Sequence, residues 1–233
     1  IIVLGYIWVD RKLFYHATCL ILLGMVINVA LKLTFRVPGI FGYAFPSGHM
    51  QSATVFYGWL AYQVRNSIFQ VAMFMVILGV GFGLIYVGYH NIVDVMGAIA
   101  VAIGMIVLYR VSMTSFSKSL PFLILFVATI LFLYSAMHAV PFQKASLLGY
   151  YALLGFVLSE KFFHKKLSSS KTLSVKRKFL ASLLCFLAIA LIYYGFFQLQ
   201  HWFKGLPLVV TELQWLAIGF ILPFSRAYRF PNC

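Results

Sequence analysis

Residues 67–110 read SIFQVAMFMVILGVGFGLIYVGYHNIVDVMGAIAVAIGMIVLYR. Two apolar blocks, each close to the ~20 residues a helix needs to cross the hydrocarbon core of a bilayer, flank a short Gly88-Tyr89-His90-Asn91 break. Asp94 is the only Asp, Glu, Lys or Arg between Arg65 and Arg110. The blocks are continuous rather than alternating, so they predict spanning α-helices and not the dyad-patterned strands of a membrane barrel.

The same pattern extends in both directions. It predicts a truncated helix at 1–9 and spans near 13–35, 48–64, 67–88, 92–110, 119–137, 145–160, 179–199 and 208–224. The expected fold is therefore all-α, a polytopic transmembrane bundle of about eight or nine spans. Composition agrees: 63% of the 233 residues are hydrophobic and 9% charged, against roughly 45–50% and about 25% in soluble domains. The chain opens at Ile1 inside an apolar stretch ending near Trp8, so an upstream segment is expected to be missing.

The formal charge of +14 comes from 18 basic and 4 acidic residues. In a soluble chain this would suggest nucleic acid; beside membrane spans it marks cytoplasmic loops and anionic lipid contact, and no nucleic-acid partner is expected. Arg11 and Lys12, Arg65, Arg110 and Lys118, the 161–178 loop, and Arg226 with Arg229 fall on one side if every block spans once. That side is expected to be cytoplasmic. The loops at 36–47, 89–91, 138–144 and 200–207 hold few basic residues and should face the other compartment. Cys19, Cys185 and Cys233 are widely spaced and imply neither a disulfide framework nor a metal site.

Ionisable groups within or at the edge of spans are costly, so each is a functional candidate. His90 and Asp94 are four residues apart where a helix begins and share one face. A carboxylate there can fix the imidazole tautomer and raise the basicity of its other nitrogen, which suits a nucleophile. The Pro46-Ser47-Gly48-His49 turn precedes another span. Ser47 is a plausible cap, the first-turn amides form an anion site, and His49 could protonate a leaving oxygen. Lys32, at the end of the 13–35 block, could neutralise a phosphate, or simply snorkel to the interface. His16, His138 and His164 read as core or interface residues. His201 has no partner carboxylate other than Glu212.

These residues together resemble the type-2 phosphatidic acid phosphatase and vanadium haloperoxidase superfamily, in its integral-membrane lipid phosphate phosphatase branch. The resemblance covers roughly residues 13–112. Its middle motif, Pro-Ser-Gly-His, is intact at Pro46 to His49, and the run Phe45 to Phe56 looks like family members beyond the tetrapeptide. Ile85 to Asp94 matches the third motif in spacing, and Lys32 to Phe35 fits the first. Gly39-Ile40 stands where the first motif has Arg-Pro, and Gly83-Leu84 where the third has Ser-Arg.

The resemblance implies a metal-independent, cofactor-free enzyme that hydrolyses a lipid phosphomonoester or diphosphate through a phosphohistidine. His90 would be the nucleophile, Asp94 would orient it, and His49 would serve as general acid and base. Lys32, Ser47 and Gly48 would hold the phosphoryl oxygens, with Arg36 as a substitute cation. The implied partner is a membrane phospholipid or polyprenyl phosphate. The implied setting is a bacterial inner membrane with the site facing the periplasm or exterior. Residues 1–112 would form the catalytic core, and 113–233 accessory helices with a basic loop at 161–178. A non-catalytic member that binds or moves phospholipid is the alternative suggested by the two missing arginines.

Overall fold

The computed structural model describes residues 1–40, 42–117, 119–138, 143–163, 174–203, 205, 210 and 212–227. His164, Lys118, Arg229, Cys233 and the centre of the basic loop, on which expectations were placed, lie outside the described residues. The described chain is helical apart from one small hairpin and the turns that connect the helices. In order it forms α1 (Ile2–Leu4) leading into a π-helical turn (Gly5–Val9), α2 (Arg11–Phe35), β1 (Pro38–Gly39), β2 (Gly42–Tyr43), α3 (Gly48–Gln63), α4 (Ser67–Tyr86), α5 (Ile92–Ser115), α6 (Leu120–His138), α7 (Lys144–Phe162), α8 (Val175–Trp202) and α9 (Gln214–Ala227).

Five of these helices, α2, α4, α5, α6 and α8, are long and apolar enough to cross a membrane. Helices α3 and α9, at 16 and 14 residues, reach about 24 and 21 Å at 1.5 Å per residue, short of a ~30 Å hydrocarbon core. The all-α bundle is as the sequence predicts, and most helix bounds fall close to those of the apolar blocks, though α5 runs on to Ser115 and α9 begins at Gln214 rather than near 208.

Residues 16–149 gather into one compact unit, and residues 1–15 with 150–233 into another. In the first, α3 packs along α4 and α5. Met50, Val95 and Ala98 are buried together and are covered by Ile77, Val80, Leu84 and Ile99. A second cluster joins Val29 and Leu33 of α2 to Tyr43 and Tyr134. The outer side of α4 shows Phe74, Met75 and Phe82 to the surroundings. Such exposure suits a helix whose solvent is lipid, where burial of apolar surface is supplied by acyl chains.

In the other unit, α7 and α9 meet at glycines. A Cβ on Gly155 would lie 2.0 Å from the carbonyl oxygen of Leu216, and one on Gly219 would lie 2.2 Å from that of Ala152. Only glycine permits backbones this close, the device by which membrane helices gain van der Waals contact without a hydrophobic drive.

A candidate phosphoryl-transfer site in the unit of residues 16–149

The geometry begins with how α4 ends. Val87 closes the helix, and Gly88 takes φ +78°, a left-handed conformation that a side chain disfavours. The Gly88 amide donates to the Ile85 carbonyl at 3.0 Å and the Tyr89 amide to the Leu84 carbonyl at 3.1 Å, a Schellman cap. The His90 amide reaches the same Leu84 oxygen at 3.3 Å. One residue later α5 starts with a capping box: the Asp94 amide donates to Asn91 Oδ1 at 2.8 Å, and the Asn91 amide to Asp94 Oδ2 at 3.1 Å. His90 is thus pinned between a C-cap and an N-cap, which fixes its position without any contact to ligand.

Asp94, 2% exposed, also faces His90, with Nδ1 to Oδ2 at 3.4 Å. The carboxylate acceptor places the proton on Nδ1 and leaves Nε2 with its lone pair, and the contact is at the long end for a hydrogen bond. The sequence predicts that Asp94 raises the basicity of His90. Desolvation is the largest influence on the His90 pKa and lowers it; Asp94 does raise it, through its hydrogen bond and its charge, but burial outweighs that effect, and the Lys32 and His49 charges push the same way as burial. The lowered pKa keeps the imidazole in its neutral form at neutral pH, with Nε2 unprotonated.

The Pro46–His49 turn is held from two directions. The Ser47 amide donates to the Asp94 carbonyl at 3.2 Å, and Asn28 Nδ2 on α2 donates to the Pro46 carbonyl at 3.1 Å and to Gln51 Oε1 at 2.8 Å. Gln51 Nε2 continues to the Gly24 carbonyl at 3.1 Å. Asn28 and Gln51 are both buried. A Cβ on Gly48 would come within 3.0 Å of Asn28 Oδ1, so any larger residue would press on the Asn28 side chain. Ser47 caps α3, its Oγ accepting from the Met50 amide at 3.5 Å.

These elements enclose a cavity of about 530 Å³ whose walls include Asn28, Lys32, Tyr43, Gly48, His49, Ser52, Tyr89 and His90, together with Gly39, Ile40, Gly42 and Ala44 of the hairpin. Lys32, Gly48, His49 and His90 are thus brought together as the sequence predicts, with Asp94 behind His90. Ser47 is fully buried in its cap and is not on the wall. Arg36 is exposed, has φ 50° and folds its Nε back onto the Leu33 carbonyl at 3.1 Å; it is not on the wall either, because the chain reverses at that residue. Among the described residues no group of three His, Cys, Asp or Glu side chains is placed to hold a metal ion.

Charge and motif reasoning missed Asn28 and Gln51. The signal was available: Asn28 is the only side-chain amide in α2 and stands four residues before Lys32, and a buried amide in an apolar helix needs a partner.

A family model described as the PAP2 superfamily matches residues 6–118. That stretch belongs to the superfamily. No curated protein and no solved structure matches the chain. PAP2 proteins are generally phosphatases, so the chain is a membrane protein with a phosphatase-type PAP2 region, and that region contains every residue of the cavity except Ala145. His16 falls within it too. It bonds to the Tyr109 hydroxyl at 2.8 Å and packs against Trp59, a core role as the sequence predicts.

Proposed function

We propose that the chain is a metal-independent lipid phosphatase that transfers the phosphoryl group of a membrane lipid through a phosphohistidine on His90. The carrying observation is the His90–Asp94 contact facing the same cavity as His49 and Lys32. His90 Nε2 attacks phosphorus, the bond to the leaving oxygen breaks, and His49 supplies the proton to that oxygen. Asp94 holds Nδ1–H and balances the positive charge of the phosphorylated imidazole. Water then attacks with His49 as base, the N–P bond breaks, and His90 returns neutral. Lys32 and the first amides of α3 hold the phosphoryl oxygens, a helix N-terminus being suited to an anion.

The lipid nature of the substrate rests on the membrane setting of the helices, and the side of action on the distribution of basic residues. Helices α3 and α4 form a hairpin whose cavity end carries His49 and His90 and whose far end carries Arg65. By the positive-inside rule Arg65 faces the cytoplasm and the cavity faces away from it.

The deciding experiment follows phosphate release from vesicles containing phosphatidate or a polyprenyl diphosphate, with the wild-type chain and His90→Ala. Turnover by the wild type and loss in the variant is the expected result. Equal release by both would overturn the assignment. A chain that holds phospholipid without cleaving it draws on the two absent arginines, and any His90-dependent turnover removes that reading.

A further inference from the structure

We propose that this centre, taken as the phosphoryl-transfer site above, acts on singly charged lipid phosphodiesters in preference to dianionic phosphomonoesters. The observation is a deficit of positive charge built into the walls. Although the chain carries 18 Lys and Arg residues, Lys32 is the only one on the cavity wall among the described residues. Arg36 is turned onto Leu33. Lys144, beside the wall residue Ala145, is exposed and is not itself on the wall.

The two positions at which a further cation is expected are closed to one. At Gly39, a Cβ would lie 2.7 Å from the Ala44 Cβ and 3.2 Å from its backbone nitrogen, so the β1–β2 pairing occupies the space an arginine would need. Leu84 packs its side chain onto the Met50, Val95 and Ala98 cluster, and its carbonyl serves the cap that places His90. Both positions are committed to packing, so the deficit is a property of this fold and not a vacancy beside it.

With neutral imidazoles, Lys32 and Asp94 cancel formally, and a proton on His49 raises the site by one positive charge. A phosphomonoester approaches two negative charges at neutral pH, its second ionisation being near 6. A phosphodiester carries one. In a largely apolar cavity an uncompensated charge is costly, so the balance favours the monoanion. In the diester reaction His90 Nε2 bonds to phosphorus and one P–O ester bond breaks, with the His49 proton going to the departing alkoxide. The remaining ester stays on phosphorus. A hydroxyl of water or of an acceptor alcohol then gives its proton to His49, bonds to phosphorus and displaces His90, leaving a phosphomonoester or a new phosphodiester.

The test presents the full chain with vesicles of phosphatidylglycerol or of phosphatidate with the same acyl chains, alongside His90→Ala. Expected is a kcat/KM at least about tenfold higher on the diester, absent in the variant, and an acid-labile His90 adduct that retains an ester group. Equal or faster turnover of phosphatidate, or a bare phosphoryl adduct, overturns this proposal while leaving the phosphatase reading standing. No His90-dependent turnover of either lipid overturns both. Ile40→Arg adds a cation at an exposed wall position (69% exposed) and should reduce the diester preference at least about threefold. An unchanged ratio would also overturn the proposal, since charge is its basis.

Discussion

Among the described residues, two polar clusters that hold charged groups are finished differently. In the unit of residues 1–15 and 150–233, the Glu160 carboxylate accepts from the Tyr6 hydroxyl and the Arg11 guanidinium, and Arg226 donates to the carbonyls of Tyr6 and Ile7. Each of these charged groups meets protein, with the Arg226 Nε alone among their atoms buried without a hydrogen-bond partner. In the unit of residues 16–149, Asp94 is satisfied by Asn91 and His90, yet His90, His49 and Lys32 all present a side to an open cavity. Satisfied clusters specify structure, whereas groups held rigidly but left facing a cavity have bonding capacity for a ligand. The contrast supports the proposed chemistry in one and an architectural role in the other.

The most forceful way to break that contrast is His90→Ala. Its turnover should fall by at least about a thousandfold, since the proposed nucleophile is lost, while the melting temperature stays within a few degrees because the caps around residue 90 use backbone groups. Loss of folding instead of turnover would place His90 with the architectural cluster. Asp94→Asn sharpens the same point with an expected 10- to 100-fold loss, the usual scale for a group that orients another. Here pH supplies the sign. The His90 pKa is lowered by burial and partly restored by Asp94, and the attacking form is neutral. Wild-type kcat should hold as pH falls past the ordinary histidine value of ~6.5 and fall only as pH reaches the lowered folded value. Removing the Asp94 charge takes away the restoring contribution, so the acid limb should move further down; an upward shift would contradict the assignment. The lowered pKa also adds stability that is present above ~6.5 and diminishes as pH falls toward the folded value, because protonation then favours the unfolded chain.

The sequence made the helices and the dyad legible for separate reasons. Apolar blocks of bilayer length admit one backbone solution, since every amide must be satisfied within the segment. The four-residue spacing of His90 and Asp94 is local, and so is the Ser47 cap. What was not legible depends on how the chain turns and packs in three dimensions. Nothing near residue 39 shows that Ala44 fills its Cβ space, and nothing near residue 84 shows that Leu84 faces Met50 and Val95. The same holds for Arg36, whose nearness to Lys32 in sequence is undone by one left-handed residue. That burial outweighs the neighbouring carboxylate at His90 was not legible because burial is a tertiary property.

Asn28 tests where positioning ends and architecture begins. Asn28→Ala frees the Pro46 carbonyl and leaves the Gln51 carboxamide oxygen without its donor, at about 1–3 kcal/mol for stranded buried groups. Turnover should fall roughly three- to tenfold, mostly in kcat, with KM nearly constant, since the turn bearing His49 loosens while Lys32 remains. A purely structural role would lower stability with kcat unmoved.

The smallest expected effect on activity comes from Glu160→Gln. Arg11 and Glu160 are largely buried, with side-chain exposures of 14% and 13%, so removing the charge leaves Arg11 short of its counterion. Breaking such a pair costs up to about 3–5 kcal/mol, and partial solvent access places the expected loss toward the lower end. Glutamine retains one oxygen acceptor for Tyr6 or Arg11, which moderates it further. A lowered melting temperature with turnover within about threefold of wild type is the outcome that keeps the two clusters distinct. If turnover instead fell as far as in Asp94→Asn at unchanged stability, the Glu160 cluster would have to be counted as part of the chemistry, and the division drawn from hydrogen-bond satisfaction alone would be wrong.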